Sequence, residues 1–295
     1  MLSLEQLVQL AQQHSSALGA KVREFKVGGR AISSNTRKSI MGVINLSTDS
    51  WYRESVCPTV ELAVRRAFVL EAQGADIVDI GAESTLAHAA RLDETLQGSK
   101  LLTVLEGLKG LTIPISVETY NPAVARRCLE AGARIINLTG TEETDAFYRL
   151  AREFDAAVIV CFVQGRNVRE VGDFSFDRDP IDFMYEYFAR EVDRATKAGL
   201  EKLFIDPGLG FYYRNLQDSA VRVRHQMRVF LNTFRLRALG FPVCHALPHA
   251  FEYFGDEVRN AEPFFAVLAA LGNTDLFRTH EVPKIKAVLD TMQIY

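Results

Sequence analysis

Long apolar runs are missing from this 295-residue chain: no window approaches the roughly 18 uninterrupted apolar residues that a membrane-spanning helix needs. The segment from Met1 to Ala20 lacks both a basic start and a continuous apolar stretch, so neither secretion nor membrane insertion is expected. Excess positive charge is missing too. With 34 lysines and arginines against 37 aspartates and glutamates, the formal net charge is −3. No long-range positive field exists to gather nucleic acid or an anionic membrane, and any anion must be held locally. Cysteine is sparse: Cys57, Cys128, Cys161 and Cys244 are scattered without paired spacing and mostly sit in apolar runs. That pattern fits reduced core thiols in a cytoplasmic protein better than disulfides or zinc ligands. Linkers, low-complexity tracts and a G-x-G-x-x-G after the first strand are absent as well. The last of these argues against an open sheet with a dinucleotide at its switch point.

What is present reads as one folded domain of ordinary composition, 48% hydrophobic and 24% charged. Leu4, Leu7, Val8 and Leu10 recur at helical spacing behind Ser3, a candidate N-cap, so residues 3 to 18 are expected to form an amphipathic helix: a lid, a plug or an interface. Residues 25 to 32 alternate around Gly28-Gly29, the signature of a short hairpin placed to close the bottom of a barrel. From Ile40 onward, eight short β-rich runs alternate with helical stretches. The expected strands are 40–45, 76–82, 114–119, 135–140, 157–163, 202–206, 242–247 and 276–281. The helices between and after them are 60–73, 93–108, 122–131, 143–154, 180–198, 217–239, 263–271 and 284–292. Gly74, Gly132, Gly199 and Gly240 each follow a helix, where a left-handed residue ends it. The expectation is therefore a (β/α)8 TIM barrel over residues 38–295, preceded by a helix and barrel-closing hairpin over residues 1–37.

In such a barrel, chemistry belongs at the carboxyl ends of the strands, and these ends are unusually polar. They carry Asn45, Asp79 with Glu83-Ser84-Thr85, Glu118, Asn137, Gln164, Asp206, His245 with His249 beyond it, and Arg278 with His280. Any one of these alone reads best as a loop cap or a satisfied buried polar group. Together, in one mouth, they are costly to bury unless a ligand meets them, so a pocket for a small polar ligand is the better account. Glu118, Asn137 and Asp206 offer acceptors to an edge rich in N–H donors, such as that of a pterin or purine. Arg278, His280 and the neighbouring Asn45 suit phosphate oxygens, and Asn45 equally suits magnesium.

These residues sit in recognisable motifs. Met41-Gly42-Val43-Ile44-Asn45-Leu46-Ser47-Thr48-Asp49-Ser50 resembles the first-strand signature of dihydropteroate synthases, and Asp79-Ile80-Gly81-Ala82-Glu83-Ser84-Thr85 the second. Ser116-Val117-Glu118-Thr119-Tyr120, Ile135-Ile136-Asn137, Asp206-Pro207-Gly208-Leu209-Gly210-Phe211 and Arg278-Thr279-His280-Glu281-Val282 follow in the same order. The resemblance spans roughly residues 38 to 290. It implies a transferase of folate biosynthesis that condenses 7,8-dihydropterin-6-ylmethyl diphosphate with p-aminobenzoate, using Mg2+ and working as a homodimer. It further implies that Asp79, Glu118, Asn137 and Asp206 hold the pterin, with Glu118 and Asp206 catalytic. Thr85, Arg278 and His280 would then hold the diphosphate, and Asn45 the metal.

The chain also departs from the family pattern. The lysine expected after the seventh strand falls at about Ala250, with His249 beside it as a candidate replacement, and the arginine expected after Ser84-Thr85 is Leu86. Glu118 stands where the family has aspartate, and Cys161-Phe162 where it has Met-His. The alternative is thus a divergent pterin-binding paralogue without dihydropteroate synthase activity. A pterin-dependent methyltransferase module leaves Arg278 and His280 without a purpose. A nucleic-acid site on the basic stretch from Arg222 to Arg237 is disfavoured because Val223, Met227, Phe230 and Leu231 interleave it as in an ordinary amphipathic helix.

Overall fold

The computed structural model describes residues 1–47, 52–82, 94–168, 170–174, 178–210 and 213–295. A two-stranded hairpin, β1 (Phe25–Val27) and β2 (Arg30–Ile32), precedes eight parallel strands. These are β3 (Ser39–Asn45), β4 (Ile77–Gly81), β5 (Ile115–Thr119), β6 (Ile135–Leu138), β7 (Ala157–Cys161), β8 (Leu203–Asp206), β9 (Cys244–Ala246) and β10 (Leu276–Thr279). Their order is β8-β7-β6-β5-β4-β3-β10-β9. A parallel bridge between Ile205 and Val243, with the Ile205 N–H donating to the Pro242 carbonyl at 3.1 Å, joins the two ends and closes the barrel. The crossover helices are α3 (Val60–Ala72), α4 (Glu94–Gly107), α5 (Pro122–Glu130), α6 (Thr144–Glu153), α7 (Pro180–Lys197), α8 (Ser219–Leu231) with α9 (Thr233–Leu236), α11 (Ala261–Leu271) and, at the end, α12 (Val282–Met292). Pro122 and Pro180 sit in the first turns of α5 and α7, where a missing N–H costs nothing, behind the capping side chains of Asn121 and Asp179. Gly74, Gly132, Gly199 and Gly240 all adopt positive φ, between 78° and 111°, as expected of residues ending a helix.

Where the sequence suggests one N-terminal helix, the structure has two. α1 (Leu4–Gln13) starts with a reciprocal capping box between Ser3 and Gln6, and the chain breaks at His14 before α2 (Ser15–Leu18). The His14 ring meets Phe234 of α9 edge-on at 6.5 Å, and the Arg23 N–H donates to the Gly240 carbonyl. This segment therefore packs beside the start of β9, at the end of the barrel opposite the polar strand termini. The expected helix over 217–239 also divides, at Asn232, because the Thr233 hydroxyl takes up the carbonyls of Val229 and Phe230 and pairs with His245 Nε2 at 2.8 Å. A short helix absent from the sequence reading, α10 (Phe251–Phe254), and a 3-10 segment over Gly255–Asn260 precede α11.

Inside the barrel, Met41, Ile77, Ile135, Ile159, Phe204, Cys244 and Leu276 form one apolar layer. Val27 and Ile32 of the hairpin join that layer, so β1 and β2 plug the amino-terminal end of the barrel. A larger cluster fills the space between the sheet and its helices. Strand side chains alternate, so the residue two positions on points into the same interior, one layer higher. That step takes Ile77 to Asp79, Ile135 to Asn137, Ile159 to Cys161, Phe204 to Asp206, Cys244 to Ala246 and Leu276 to Arg278. The floor is thus apolar and the layer above it polar because the period of a strand is two. All four cysteines are buried and unpaired by disulfides.

Candidate active site

That upper layer surrounds a half-open cleft lined by Glu118, Asn137, Thr139, Cys161, Asp206, Gly208, Gly210, Ala246 and Arg278. Asp79 lies beneath, fully buried, and its two oxygens are heavily used. Oδ1 accepts from the Ser116 hydroxyl at 2.6 Å; Oδ2 accepts from Asn137 Nδ2 at 3.1 Å and from Arg278 Nε at 2.8 Å. Asp79 thereby fixes the Asn137 carboxamide, whose oxygen accepts from the Cys161 thiol at 3.6 Å. Arg278 spans two strands beyond its own: its Nη2 donates to Glu118 Oε2 at 2.7 Å. The sequence grouped Arg278 with the diphosphate end, whereas the structure binds it to the carboxylates of the pterin end. Gly81 leaves space beside Glu118, for a Cβ there would stand 3.5 Å from Oε2.

Asp206 completes the ring. Its Oδ1 accepts from the Gly208 N–H at 2.8 Å, a geometry that Gly208 reaches at φ +72°, where other residues would be strained. Burial pushes its carboxyl up to about 6, against the pull of the Gly208 N–H and the Arg278 charge. Among the described residues the cleft gathers one guanidinium and three carboxyl groups, with Asp79 and Glu118 both on that guanidinium. Buried charge without partners costs several kcal/mol, so a ligand that brings donors suits this cleft.

A second group of residues sits two positions further along β10. The fully buried Glu262 of α11 accepts from the Thr279 hydroxyl, from the His280 backbone N–H at 3.0 Å and at His280 Nδ1, 2.7 Å away. His249 Nδ1 lies 3.9 Å from the same carboxylate. The Tyr52 ring stacks on both imidazoles, at 4.5 Å from His280 and 4.9 Å from His249, and its hydroxyl donates to Glu281, which Arg259 also binds. Burial lowers His280 to about 3 and His249 to about 4, so both rings are neutral at physiological pH. His249 belongs to this group and does not line the cleft with Glu118, Asn137 and Asp206. Ala250, at the family's lysine position, is buried.

Asn45, at the end of β3, donates from Nδ2 to the Ser55 hydroxyl at 2.6 Å. Thr85 and Leu86 lie outside the described residues, as do Glu83, Ser84, Phe211 and Tyr212. The substitution at Cys161-Phe162 becomes legible: Cys161 faces the cleft, while Phe162 turns outward among Phe174, Phe183 and Tyr187. Asn215 does structural duty, gripping the backbone N–H and carbonyl of Phe174 at 2.7 Å each. The sequence reading missed Tyr52, Arg66 and Glu262. Arg66 spends its guanidinium on the carbonyls of Val43, Glu54 and His280. Glu262 had a signal: a charged residue opening the otherwise apolar run Ala261-Glu262-Pro263-Phe264-Phe265-Ala266-Val267-Leu268.

Residues 41–244 match the family model described as pterin binding enzyme, so the chain belongs to that family of barrels. Within it, the relatives are dihydropteroate synthases. The enzyme so named from Streptococcus pyogenes is 31% identical over 223 residues, covering 74% of this chain and 77% of that one. A probable bifunctional folylpolyglutamate synthase/dihydropteroate synthase of Halobacterium salinarum is 31% identical over 256 residues, covering 84% of this chain and 30% of that longer one. The chain thus spans about a third of the length of that bifunctional relative. Among solved structures, the Xanthomonas albilineans dihydropteroate synthase with 4-aminobenzoic acid superposes at a TM-score of 0.77, with 26% identity over 93% of this chain and 98% of that one.

Proposed function

We propose that this chain condenses a dihydropterin-methyl diphosphate with p-aminobenzoate, releasing pyrophosphate and forming dihydropteroate. The observation that carries the reading is the gathering of the acceptors Glu118, Asn137 and Asp206 around one guanidinium in a single cleft at the carboxyl ends of the strands. An aminopyrimidinone edge presents N–H donors that suit such acceptors. Asp79 then acts as a positioning residue that orients Asn137 and Arg278. In the reaction the amine nitrogen bonds to the methylene carbon as the carbon–oxygen bond to diphosphate breaks, and the nitrogen loses a proton. Ionised Asp206 and Glu118 stabilise the positive charge that develops toward the pterin ring. Arg278 holds Asp79 and Glu118 at the pterin end, and His280, two residues beyond it, places a ring donor at the diphosphate end.

Magnesium fits this reading at Asn45. The ion takes oxygen ligands and keeps several waters, and the Asn45 carboxamide, whose nitrogen donates to Ser55, would hold it through its oxygen. Bound there, the ion would neutralise charge on the leaving diphosphate. His249 is the group nearest in sequence to the missing lysine, but its place beside Glu262 and His280 assigns it to the diphosphate side. A homodimer in the cytoplasm is part of the proposal: Phe264, Val267 and Leu271 leave an apolar stripe exposed on α11, and the cysteines are reduced. The test is direct. Incubation with both substrates and Mg2+ should yield dihydropteroate, and none from the Glu118→Ala/Asp206→Ala double variant. Tight pterin binding with no product from the unaltered chain would replace this reading by that of a binding paralogue.

A further inference from the structure

We propose that His249, Glu262 and His280 form a binding site for a divalent transition-metal ion of the zinc class, separate from the magnesium position at Asn45. Each residue offers one ligand atom, and the three atoms lie within 4.8 Å of one another. Two imidazole nitrogens and one carboxylate oxygen form the donor set of three-ligand zinc and related sites, which keep a coordination position open for water or substrate; magnesium prefers all-oxygen shells.

Three observations support the assignment beyond proximity. Glu262 is fully buried, and a buried carboxylate needs a compensating cation. Among the described residues no lysine or arginine forms an ion pair with it, and Arg66 gives its hydrogen bonds to backbone carbonyls instead. Next, His249 Nδ1 is buried with no hydrogen-bond partner, an unsatisfied lone pair or N–H that costs free energy unless something binds it. Finally, the ligands are already oriented. Tyr52 stacks on both rings, and the Thr279 hydroxyl and the His280 backbone N–H hold Glu262, the outer-shell support that metal sites require.

Metal entry demands little motion. His280 Nδ1 and the Glu262 oxygen stand 2.7 Å apart as a hydrogen-bonded pair. Two such ligands on a tetrahedral ion at 2.0–2.1 Å would be about 3.3 Å apart. The imidazole proton then resides on Nε2. The site would put a fixed positive charge beside His280 in a chain with alanine at the family's lysine position. That consequence rests on the dihydropteroate reading; metal binding itself does not.

The experiment uses the full chain, stripped with a chelator and titrated with Co2+ in the absence of any pterin, following visible d–d absorption. Competition with Zn2+ is measured calorimetrically. One Co2+ per chain, displaced by Zn2+ and not by Mg2+, is expected. Affinity should fall at least about 100-fold in His249→Ala and in Glu262→Gln, since even outer-shell changes cost 10- to 100-fold. Should Glu262→Gln fail to fold, His249→Ala decides, because its Nδ1 supports no hydrogen bond whose loss would unfold the chain. No Co2+ or Zn2+ bound by the unaltered chain, or full affinity in His249→Ala, overturns the site. Because no pterin is present, that failure is distinct from a failure to make dihydropteroate.

Discussion

The two ends of the barrel treat buried carboxylates in opposite ways. At the amino-terminal end, Asp76 accepts from Arg30 at 2.7 Å, from Arg37 and from the Ile40 N–H at 2.9 Å. Asp275 there accepts from the Val243 N–H at 2.9 Å and faces Lys38 at 3.6 Å and the buried Arg237 at 3.4 Å. Cations outnumber carboxylates. At the carboxyl end, Asp79, Glu118 and Asp206 share Arg278 among them. Where cations are in excess the carboxylates tie strands together, and where, among the described residues, carboxyl groups are in excess they suit a ligand that brings donors. Substitutions at the first end should therefore cost stability and spare binding, with the reverse at the second, except where a residue serves both.

Arg278 is that exception, and its loss should give the largest effect. Arg278→Ala leaves Asp79 and Glu118 buried without their cation, a change that costs about 3 to 5 kcal/mol when one partner of a buried pair is removed. Thermal unfolding should fall by several degrees, and binding of the pterin diphosphate should be lost at the same time. Full stability in this variant would mean that the carboxylates find other compensation, and the contrast between the two ends would weaken.

Asp275→Ala is the matched break at the other end. It strands Arg237, of which only 3% of the side chain is exposed, and should cost about 3 kcal/mol in chemical denaturation. The Michaelis constants of the folded fraction should be unchanged. Glu118→Gln sharpens the comparison from the upper end: it keeps the shape and removes the charge. Turnover should fall about 100-fold, in line with loss of one preorganised electrostatic group, while unfolding moves little because Arg278 keeps Asp79. A Glu118→Gln variant with normal turnover would remove Glu118 from the catalytic pair.

The sequence disclosed this upper end more fully than the lower. Eight strands with a two-residue period force every second strand residue inward, so the strand pattern alone brings Asp79, Glu118, Asn137, Asp206 and Arg278 to one mouth of the barrel. The same logic left the partners unread, because period two gives direction and not reach: Arg278 extends across the interior to Asp79 and Glu118. It also overlooked Asp76, read only as the first residue of the expected strand 76–82, and Asp275, read as a loop residue before 276–281. Glu262 was missed because the helix expected there starts at Pro263, which leaves this acid just outside it as an ordinary loop residue. His249 and Tyr52 come together only through the loops after β9 and β3, whose path no local pattern encodes.

The smallest expected effect is the pH dependence that Asp206 confers. Its carboxyl is raised from 3.8 to about 6 in the folded chain, chiefly by burial, so the folded state holds this proton more tightly than the unfolded one. The stability that this proton contributes is present below pH 3.8 and declines as pH rises toward about 6, with no further change above. Ligand binding runs the other way. A pterin N–H needs the ionised carboxylate as acceptor, so affinity should climb through about pH 6, by up to about tenfold per unit below it, and level off above. Calorimetric titration of a plain pterin between pH 5 and pH 8 reads this directly. Asp206→Asn should bind weakly and with no slope across that interval, and a slope that survives in it would assign the titration to another group and place Asp206 outside the contact with the ligand.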